Sequence, residues 1–261
     1  MPIPKIIHYC WLSGDPFPND IAQYIHNWKQ RLPDYQLMLW DQKQFDIHSV
    51  PWVERAVQTK KWAFAADYIR LYALYNYGGI YLDSDVEVLK PFDDLLARPY
   101  FIGFETNYPR IEAAVMGAQQ GTPWIRDIMH FYESTSFHPE WPTLKIPILP
   151  EVLYSRLSEN YQIKHTDNKE ALSHLNQNEI GILSKEYFSP KNHKNGTIKI
   201  AKVTYTIHHF SNQWVPRSAD FYVRLYSTLV KIPGYKKFHK RFITPCIDWF
   251  LLKFFTKNNY Q

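Results

Sequence analysis

The sequence predicts an α/β fold in which a mixed β-sheet is flanked by helices, and two observations carry this prediction. Within the first forty residues, apolar patterns typical of a strand, a helix and a strand follow one another, as in parallel strands joined by covering helices. A longer helical pattern then ends at Gly78-Gly79 and leads into a short apolar strand at residues 80–82. The 261 residues are 45% hydrophobic, which is enough for one large core.

The predicted elements run in order along the chain. A first strand at residues 3–11 contains β-branched Ile6 and Ile7 and ends in a turn cluster at 12–16. Helical spacing covers residues 20–32 and ends at Pro33. The remaining expectations are a strand at 35–40, a helix at 53–77, a turn with a short helix at 89–96, strands at 100–105 and 113–118, a helix at 124–133, a proline-rich loop at 134–150, a helix at 152–160, and short strands at 180–183 and 197–203.

Two aspartates, Asp83 and Asp85, directly follow the strand at residues 80–82. In an extended segment their side chains would share one face with Tyr81, because side chains alternate along a strand. Carboxylates this close repel one another, and the repulsion is tolerated when both are exposed to water or when a cation lies between them. Their oxygens suit Mg²⁺ or Mn²⁺, and Mg²⁺ often completes its shell with substrate phosphates. The pattern indicates a metal–diphosphate site, with a solvated loop as the alternative.

Asp67 and Arg70 lie three residues apart on the helical pattern, so they share a face of that helix. A local ion pair is the simple interpretation. Because Gly78-Gly79 permits a sharp reversal, we expect both side chains to face the same cleft as Asp83 and Asp85.

Two further segments carry candidate ligand-binding side chains. Trp11 ends the first strand, where its ring would stack on a base or pack in the core. His208 and His209 are neighbours, so on a strand only one of them readily reaches a given ion. Ser211 and Trp214 offer hydrogen-bond donors to phosphate oxygens. The alternative is that the histidine at this strand end has only a structural role and binds no metal.

The basic charge is concentrated at the C-terminus. Residues 217–261 contain nine Lys/Arg against two aspartates, within a net charge of +5 for the whole chain. We therefore divide the chain into a main domain at 1–216, which contains the predicted metal–diphosphate site, and a basic, aromatic helical region at 217–261. This composition favours an anionic membrane surface, with nucleic-acid binding or packing on the core as alternatives.

Other bulk features bear on location. Two cysteines, Cys10 and Cys246, are too few for a disulfide framework. Neither a leader peptide nor a membrane-spanning run is recognised in the sequence. We expect a cytoplasmic protein that is peripheral on a membrane.

Three segments together resemble glycosyltransferase family 32, the sugar-binding-region glycosyltransferases with a D-x-D motif. They are P-K-I-I-H-x-x-W at residues 4–11, A-x-x-A-D-x-x-R with G-G-x-Y-x-D-x-D within 63–85, and Ile207-His208-His209 with Trp214. The family includes bacterial capsule and lipopolysaccharide enzymes and yeast mannosyltransferases, and the chain is more distantly similar to glucosyltransferase domains of large clostridial toxins. The match covers residues 3–125 well and 200–215 in part.

The resemblance implies a GT-A fold and a site for a UDP-sugar with Mn²⁺ or Mg²⁺. It implies that Trp11 stacks on uracil, that Asp83 contacts ribose and sugar, and that Asp85 binds the metal directly. The implied donor-binding residues are Tyr9, Cys10, Trp11, Ala66, Asp67, Arg70, Tyr81, Asp83, Ser211 and Trp214. The implied catalytic residues are Asp67, Arg70, Asp83 and Asp85, and the implied metal ligands are Asp83, Asp85 and His208, with His209 left open.

One position departs from the family pattern. Relatives often carry a serine directly before the tryptophan, where this chain has Gln213. The phosphate contact is therefore open between Ser211, Asn212 and Gln213.

The resemblance implies retaining transfer of a hexose or N-acetylhexosamine to a glycan, most simply a lipid-linked surface polysaccharide at the inner face of a bacterial membrane. The expected mechanism is a same-face displacement in which the departing phosphate deprotonates the acceptor hydroxyl. A toxin-like transferase that glycosylates a host protein is the alternative. A non-catalytic nucleic-acid or polysaccharide binder is a third hypothesis, although no nucleic-acid partner is expected.

Overall fold

The computed structural model describes residues 2–106, 109–139, 146–192 and 195–211. Trp214, Asn212, Gln213 and the predicted basic region at 217–261 lie outside the described residues. The described residues of 2–137 and 147–211 form one compact unit, to which all of the following description applies. The domain boundary at residue 216 stays a prediction.

Strands and helices alternate over about the first eighty residues, except that two helices in succession precede the third strand. In chain order they are β1 (Ile6–Cys10), α1 (Asn19–Arg31), β2 (Gln36–Trp40), α2 (Pro51–Gln58), α3 (Trp62–Tyr77), β3 (Gly79–Leu82), β4 (Val86–Val88), β5 (Tyr100–Phe101), β6 (Val115–Ala118), α4 (Pro123–Ser134), α5 (Leu149–Asn160), β7 (Gln162–Thr166), β8 (Glu179–Leu183) and β9 (Thr206–His208). No helix in the described ranges has both the length and the apolarity needed to cross a membrane.

Five strands form a central mixed sheet in the order β2-β1-β3-β6-β5. β1 pairs in parallel with β2 and β3, whereas β6 pairs antiparallel with both β3 and β5. Helices pack on this sheet, so the predicted α/β architecture is confirmed. Because β1 and β3 are parallel neighbours, their carboxyl ends, followed by Trp11 and Asp83, lie at the same edge of the sheet.

Several predicted elements are wrong in their bounds or type. The predicted helix at 53–77 is two helices, because the chain turns at residues 59–61, where Lys60 has a φ of 56°. Residues 89–96 form turns without a helix, and 197–203 contribute only the isolated Lys191–Ile198 bridge. Helix α5 begins at Leu149, within the predicted loop.

The reversal after α3 depends on two glycines. Gly78 has a φ of 65° and Gly79 a φ of 107°, a region that L side chains rarely adopt. A Cβ on Gly79 would also lie 2.8 Å from the Ile6 carbonyl oxygen of the adjacent strand. The predicted sharp turn from helix to strand is confirmed, and it brings the C-terminus of α3 directly to the middle of the sheet.

His8 lies in β1 beneath this reversal and is wholly buried. Its Nε2–H donates to the Gly78 carbonyl oxygen at 2.7 Å, and its Nδ1 accepts the Trp40 indole N–H at 3.1 Å. Both ring nitrogens are therefore satisfied in the neutral form, and burial lowers the pKa of His8 to about 4.

Acidification is expected to destabilise the protein through His8. Because the folded-state pKa lies below the ordinary value of 6.5, the stability from neutral His8 is complete above pH 6.5 and is lost as the pH falls towards 4. The full loss corresponds to roughly 3 kcal/mol. Urea unfolding across this range should show a steeper fall for the wild type than for His8→Gln, whose amide can serve both partners. His26→Gln, on the exposed face of α1, is the control, and equal slopes for all three proteins would contradict the expectation.

Candidate functional site

The D-x-D motif lies in the turn that connects β3 to β4. The Asp83 backbone N–H donates to the Ala114 carbonyl oxygen at 2.9 Å, and the Val86 N–H then closes a turn onto the Asp83 carbonyl oxygen at 3.1 Å. The prediction that Asp83 and Asp85 project from one face of an extended strand is therefore wrong, because the strand ends at Leu82. A tight turn, rather than strand alternation, presents both carboxylates.

Helix α1 holds this turn in place from the other side. The buried Trp28 donates its indole N–H to the Val86 carbonyl oxygen at 2.7 Å, and Asn27 accepts the Val88 N–H at 2.9 Å. These bonds leave the other edge of β4 free to pair with β9. In that pairing Val86 of β4 lies opposite His208 of β9. The pairing brings a distant part of the chain next to Asp85.

Asp83, Asp85 and His208 converge at this point. One ligand atom from each lies within 4.8 Å of the other two, and His208 Nε2 is 3.5 Å from Asp85 Oδ1. Asp85 Oδ2 accepts the Ser211 N–H at 2.7 Å. Two carboxylates and one imidazole at this spacing fit a single divalent cation such as Mn²⁺ or Mg²⁺.

The two histidines face different ways, as expected for neighbours on a strand. His208 points to Asp85, whereas His209 places Nε2 2.9 Å from Glu87 and stacks on Tyr24 at a centroid distance of 4.8 Å. The structure therefore brings His208, and not His209, to the aspartates.

The two aspartates differ in their electrostatic surroundings. Burial alone would raise the pKa of Asp85, but the charge and hydrogen bond of His208 and the Ser211 N–H lower it below its ordinary value. Burial raises the pKa of Asp83, and Arg70 only partly offsets this. Asp85 is thus held as a carboxylate by the His208 imidazolium and the Ser211 N–H, and a bound cation would take the place of the proton on His208 Nε2.

Arg70 joins this centre to helix α3 and is 5% exposed. Its Nη2 lies 3.2 Å from Asp83 Oδ1 and 3.3 Å from Asp67 Oδ1. Its Nη1 lies 3.4 Å from Asp83 Oδ2 and donates to the Ala113 carbonyl oxygen at 2.7 Å, while Nε donates to Ala66 at 3.3 Å. The whole guanidinium is committed to protein acceptors, so Arg70 orients both aspartates.

Tyr81 and Asp67 complete this arrangement. The Tyr81 ring lies under the Arg70 guanidinium at 4.6 Å, and its hydroxyl donates to Asp83 Oδ1 at 3.1 Å. Asp67 Oδ2 accepts the Leu149 N–H at 3.2 Å, at the start of α5, and burial raises the pKa of Asp67 to about 7. Asp67, Arg70 and Asp83 therefore meet as expected, and contact of Asp67 and Arg70 with sugar hydroxyls stays a prediction.

The remaining donor-binding candidates lie at or near the end of β1. Trp11 is half-buried against Phe17 at a centroid distance of 5.0 Å, and its indole N–H donates to the Asp15 carbonyl oxygen at 2.7 Å. Tyr9 is buried edge-on against Trp28, and burial raises the pKa of the Cys10 thiol to about 12. Stacking of Trp11 on a base stays a prediction.

Sequence reasoning missed Glu112. This carboxylate is 2% exposed, and its two oxygens lie 3.1 and 3.2 Å from His208 Nδ1. The available signal was a single acidic residue inside the apolar run at 111–116. A lone charge in such a run needs a partner when it is buried.

Comparison with known proteins matches residues 18–102 to the family described as glycosyltransferase sugar-binding region containing DXD motif. Inositol phosphoceramide mannosyltransferase 3 of Schizosaccharomyces pombe is 28% identical over 162 residues, which cover 59% of this chain and 45% of the relative. The initiation-specific alpha-1,6-mannosyltransferase of Candida albicans is 32% identical over 111 residues, which cover 39% of this chain and 29% of the relative. The solved PaToxG glycosyltransferase is 22% identical with a TM-score of 0.49, covering 60% of this chain and 70% of that one.

The matched segment contains α3 and the D-x-D turn, so the similarity falls on the described site. Residues 18–102 are similar to a D-x-D glycosyltransferase sugar-binding region, and the curated relatives named here are fungal mannosyltransferases. The chain spans less than half the length of these relatives. The expected capsule or lipopolysaccharide type is not shown by these matches.

Proposed function

We propose that the chain is a metal-dependent glycosyltransferase that moves a sugar from a nucleoside diphosphate to an acceptor hydroxyl. The observation that carries this proposal is the convergence of Asp83, Asp85 and His208, whose ligand atoms lie within 4.8 Å of one another. Asp83 and Asp85 lie within the segment that matches a D-x-D glycosyltransferase family. The GT-A type implied by the resemblance is compatible with the mixed sheet and with a site at the carboxyl ends of its parallel strands.

A divalent cation held by Asp83, Asp85 and His208 would neutralise charge that develops on the leaving diphosphate. The chain's own residues arrange the rest. Arg70 and Tyr81 orient Asp83, whose carboxylate is the proposed contact to the ribose and the sugar. Trp11, at the same sheet edge, is the proposed platform for the base.

We propose a retaining, same-face displacement. The acceptor oxygen bonds to the anomeric carbon as the bond between that carbon and the diphosphate oxygen breaks, and the acceptor proton passes to the departing phosphate. Isolation of a covalent glycosyl–enzyme adduct on any carboxylate would contradict this mechanism.

The proposed donor is a UDP-hexose or UDP-N-acetylhexosamine, and the proposed acceptor is a lipid-linked glycan or glycolipid. A lipid-containing acceptor is supported by one of the relatives, which is named as an inositol phosphoceramide mannosyltransferase. The basic region at 217–261 is proposed to contact an anionic membrane surface on the cytoplasmic side, and its composition is the support for this. A protein acceptor remains the alternative to be compared in the same assay.

A screen of nucleotide sugars tests the proposed function. Purified protein is incubated with UDP- and GDP-linked hexoses and N-acetylhexosamines in the presence of Mn²⁺, and the released nucleotide is measured. We expect release from one donor, loss of release with a chelator, and recovery when Mn²⁺ or Mg²⁺ is restored. No release from any donor, together with no binding of UDP or GDP in the presence of Mn²⁺, would contradict the proposal.

A further inference from the structure

Glu112 is held in place by the main chain on both sides. Its backbone N–H donates to the Gly103 carbonyl oxygen at 2.8 Å, and its Oε1 accepts the Ala114 N–H at 3.0 Å. The side chain therefore has little freedom, and its carboxylate is fixed against one nitrogen of His208. A buried carboxylate with a defined position is an orienting group for an imidazole.

The geometry of His208 divides its two nitrogens between two partners. Nδ1 lies 3.1 Å from Glu112 Oε1, and Nε2 lies 3.5 Å from Asp85 Oδ1. A carboxylate accepts hydrogen bonds and does not donate them, so Nδ1 carries a proton. In the neutral ring the lone pair is then on Nε2, which faces the aspartates.

We propose that Glu112 is a positioning residue that makes His208 a metal ligand, by holding its Nδ1–H so that Nε2 faces the cation shared with Asp83 and Asp85. The inference rests on the metal centre of the proposed function. It assigns to Glu112 an effect on cation affinity that is separate from any effect on sugar transfer.

The neighbouring histidine supplies a matched comparison. His209 also has a carboxylate partner, since its Nε2 lies 2.9 Å from Glu87 Oε2. That pair is directed away from Asp85, and the Glu87 side chain is 36% exposed. Two adjacent histidines thus each pair with a glutamate, and only one of these pairs points at the proposed cation.

Glu112→Gln is the informative substitution because its outcome depends on hydrogen-bond polarity. The Ala114 N–H selects the amide oxygen for the Oε1 position, 3.1 Å from His208 Nδ1, and the amide NH₂ takes the Oε2 position, 3.2 Å from the same nitrogen. Nδ1–H then faces one neutral acceptor and one donor in place of two carboxylate oxygens, so the tautomer with its proton on Nδ1 loses its preference. Size and shape are retained while that preference is removed.

The test is Mn²⁺ binding to the full chain without donor, measured as free Mn²⁺ by electron paramagnetic resonance. We expect Glu112→Gln to weaken Mn²⁺ binding by about 10- to 100-fold, as is typical when the partner of a metal-bound histidine is removed, and Glu87→Gln to leave it unchanged. In Mg²⁺-loaded protein, ¹⁵N spectra of the histidine side chains should show His208 protonated on Nδ1 in the wild type and a larger share protonated on Nε2 in Glu112→Gln.

The outcomes separate this inference from the proposed function. If the wild type binds Mn²⁺ and Glu112→Gln binds it equally well, or if both Gln variants weaken binding equally, the positioning role is overturned and the metal centre stands. If the wild type binds no Mn²⁺ with or without nucleotide, the metal centre fails and the inference fails with it. Should Glu112→Gln not fold, Glu112→Asp, whose carboxylate is withdrawn by one methylene, must show weakened Mn²⁺ binding.

Discussion

Asp85→Asn is expected to reduce metal-dependent release of nucleotide from the sugar donor by about 100- to 1000-fold, the range found when one charge-stabilising group is removed from an active site. Asparagine keeps the shape of the side chain, and its oxygen can still accept the Ser211 N–H that Asp85 Oδ2 accepts at 2.7 Å. It removes the negative charge that faces the cation position and His208. The chemistry should therefore fail while the turn persists.

The measurement is nucleotide release at saturating Mn²⁺, with thermal unfolding followed in parallel to show that the variant is folded. Asp34→Asn, an exposed aspartate just before β2, is the control and should retain the wild-type rate. A folded Asp85→Asn protein with unchanged metal-dependent release would remove Asp85 from the proposed metal centre.

Arg70→Met is expected to lower the free energy of unfolding by about 3–5 kcal/mol, because it leaves Asp67 and Asp83 without their buried cation. Both carboxylates lie within 3.3 Å of Arg70 Nη2, and the guanidinium also satisfies the Ala113 carbonyl oxygen. Methionine fills part of the volume and serves none of these acceptors.

Denaturant unfolding at about pH 8, where carboxylates in the unfolded chain are ionised, measures the loss. Arg70→Lys separates charge from geometry: it should lose less stability than Arg70→Met, yet release nucleotide as poorly, because one ammonium group does not hold two carboxylates and a carbonyl at once. Combining Asp67→Asn with Arg70→Met should recover part of the stability. A loss below 1 kcal/mol for Arg70→Met would show that the carboxylates are satisfied without it.

Much of the fold was predictable because local patterns specify it. Strand β1, helix α1 and the glycine reversal at 78–79 each follow from apolar spacing or from a backbone that only glycine adopts readily. The break between α2 and α3 was not predicted, because only the four polar residues 58–61 mark it and Lys60, a residue with no turn preference, adopts the positive φ. Helix α2 ends there with the Lys60 and Lys61 N–H groups bonded to the carbonyl oxygens of Val57 and Ala56.

The site was predictable where a motif lies in one stretch of chain. Asp67, Arg70, Asp83 and Asp85 fall within nineteen residues, and they meet in the structure. Glu112 was not predictable, because its contact with His208 exists only through tertiary structure, and the D-x-D turn was mistaken for a strand because alternation alone cannot show where pairing ends. The choice of His208 over His209 came from the resemblance and not from spacing.

The short pairing of β4 with β9 has a thermodynamic consequence. Only three residue pairs join these strands, yet they connect segments such as Asp85 and Ser211 that are 126 residues apart in sequence. A cation that requires both Asp85, just before β4, and His208, in β9, binds only when β9 is paired with β4. The free energy of cation binding therefore adds to the free energy of this strand pairing by mass action. Cation binding at Asp83, Asp85 and His208 is therefore coupled to the closing of the chain between β4 and β9, and each favours the other.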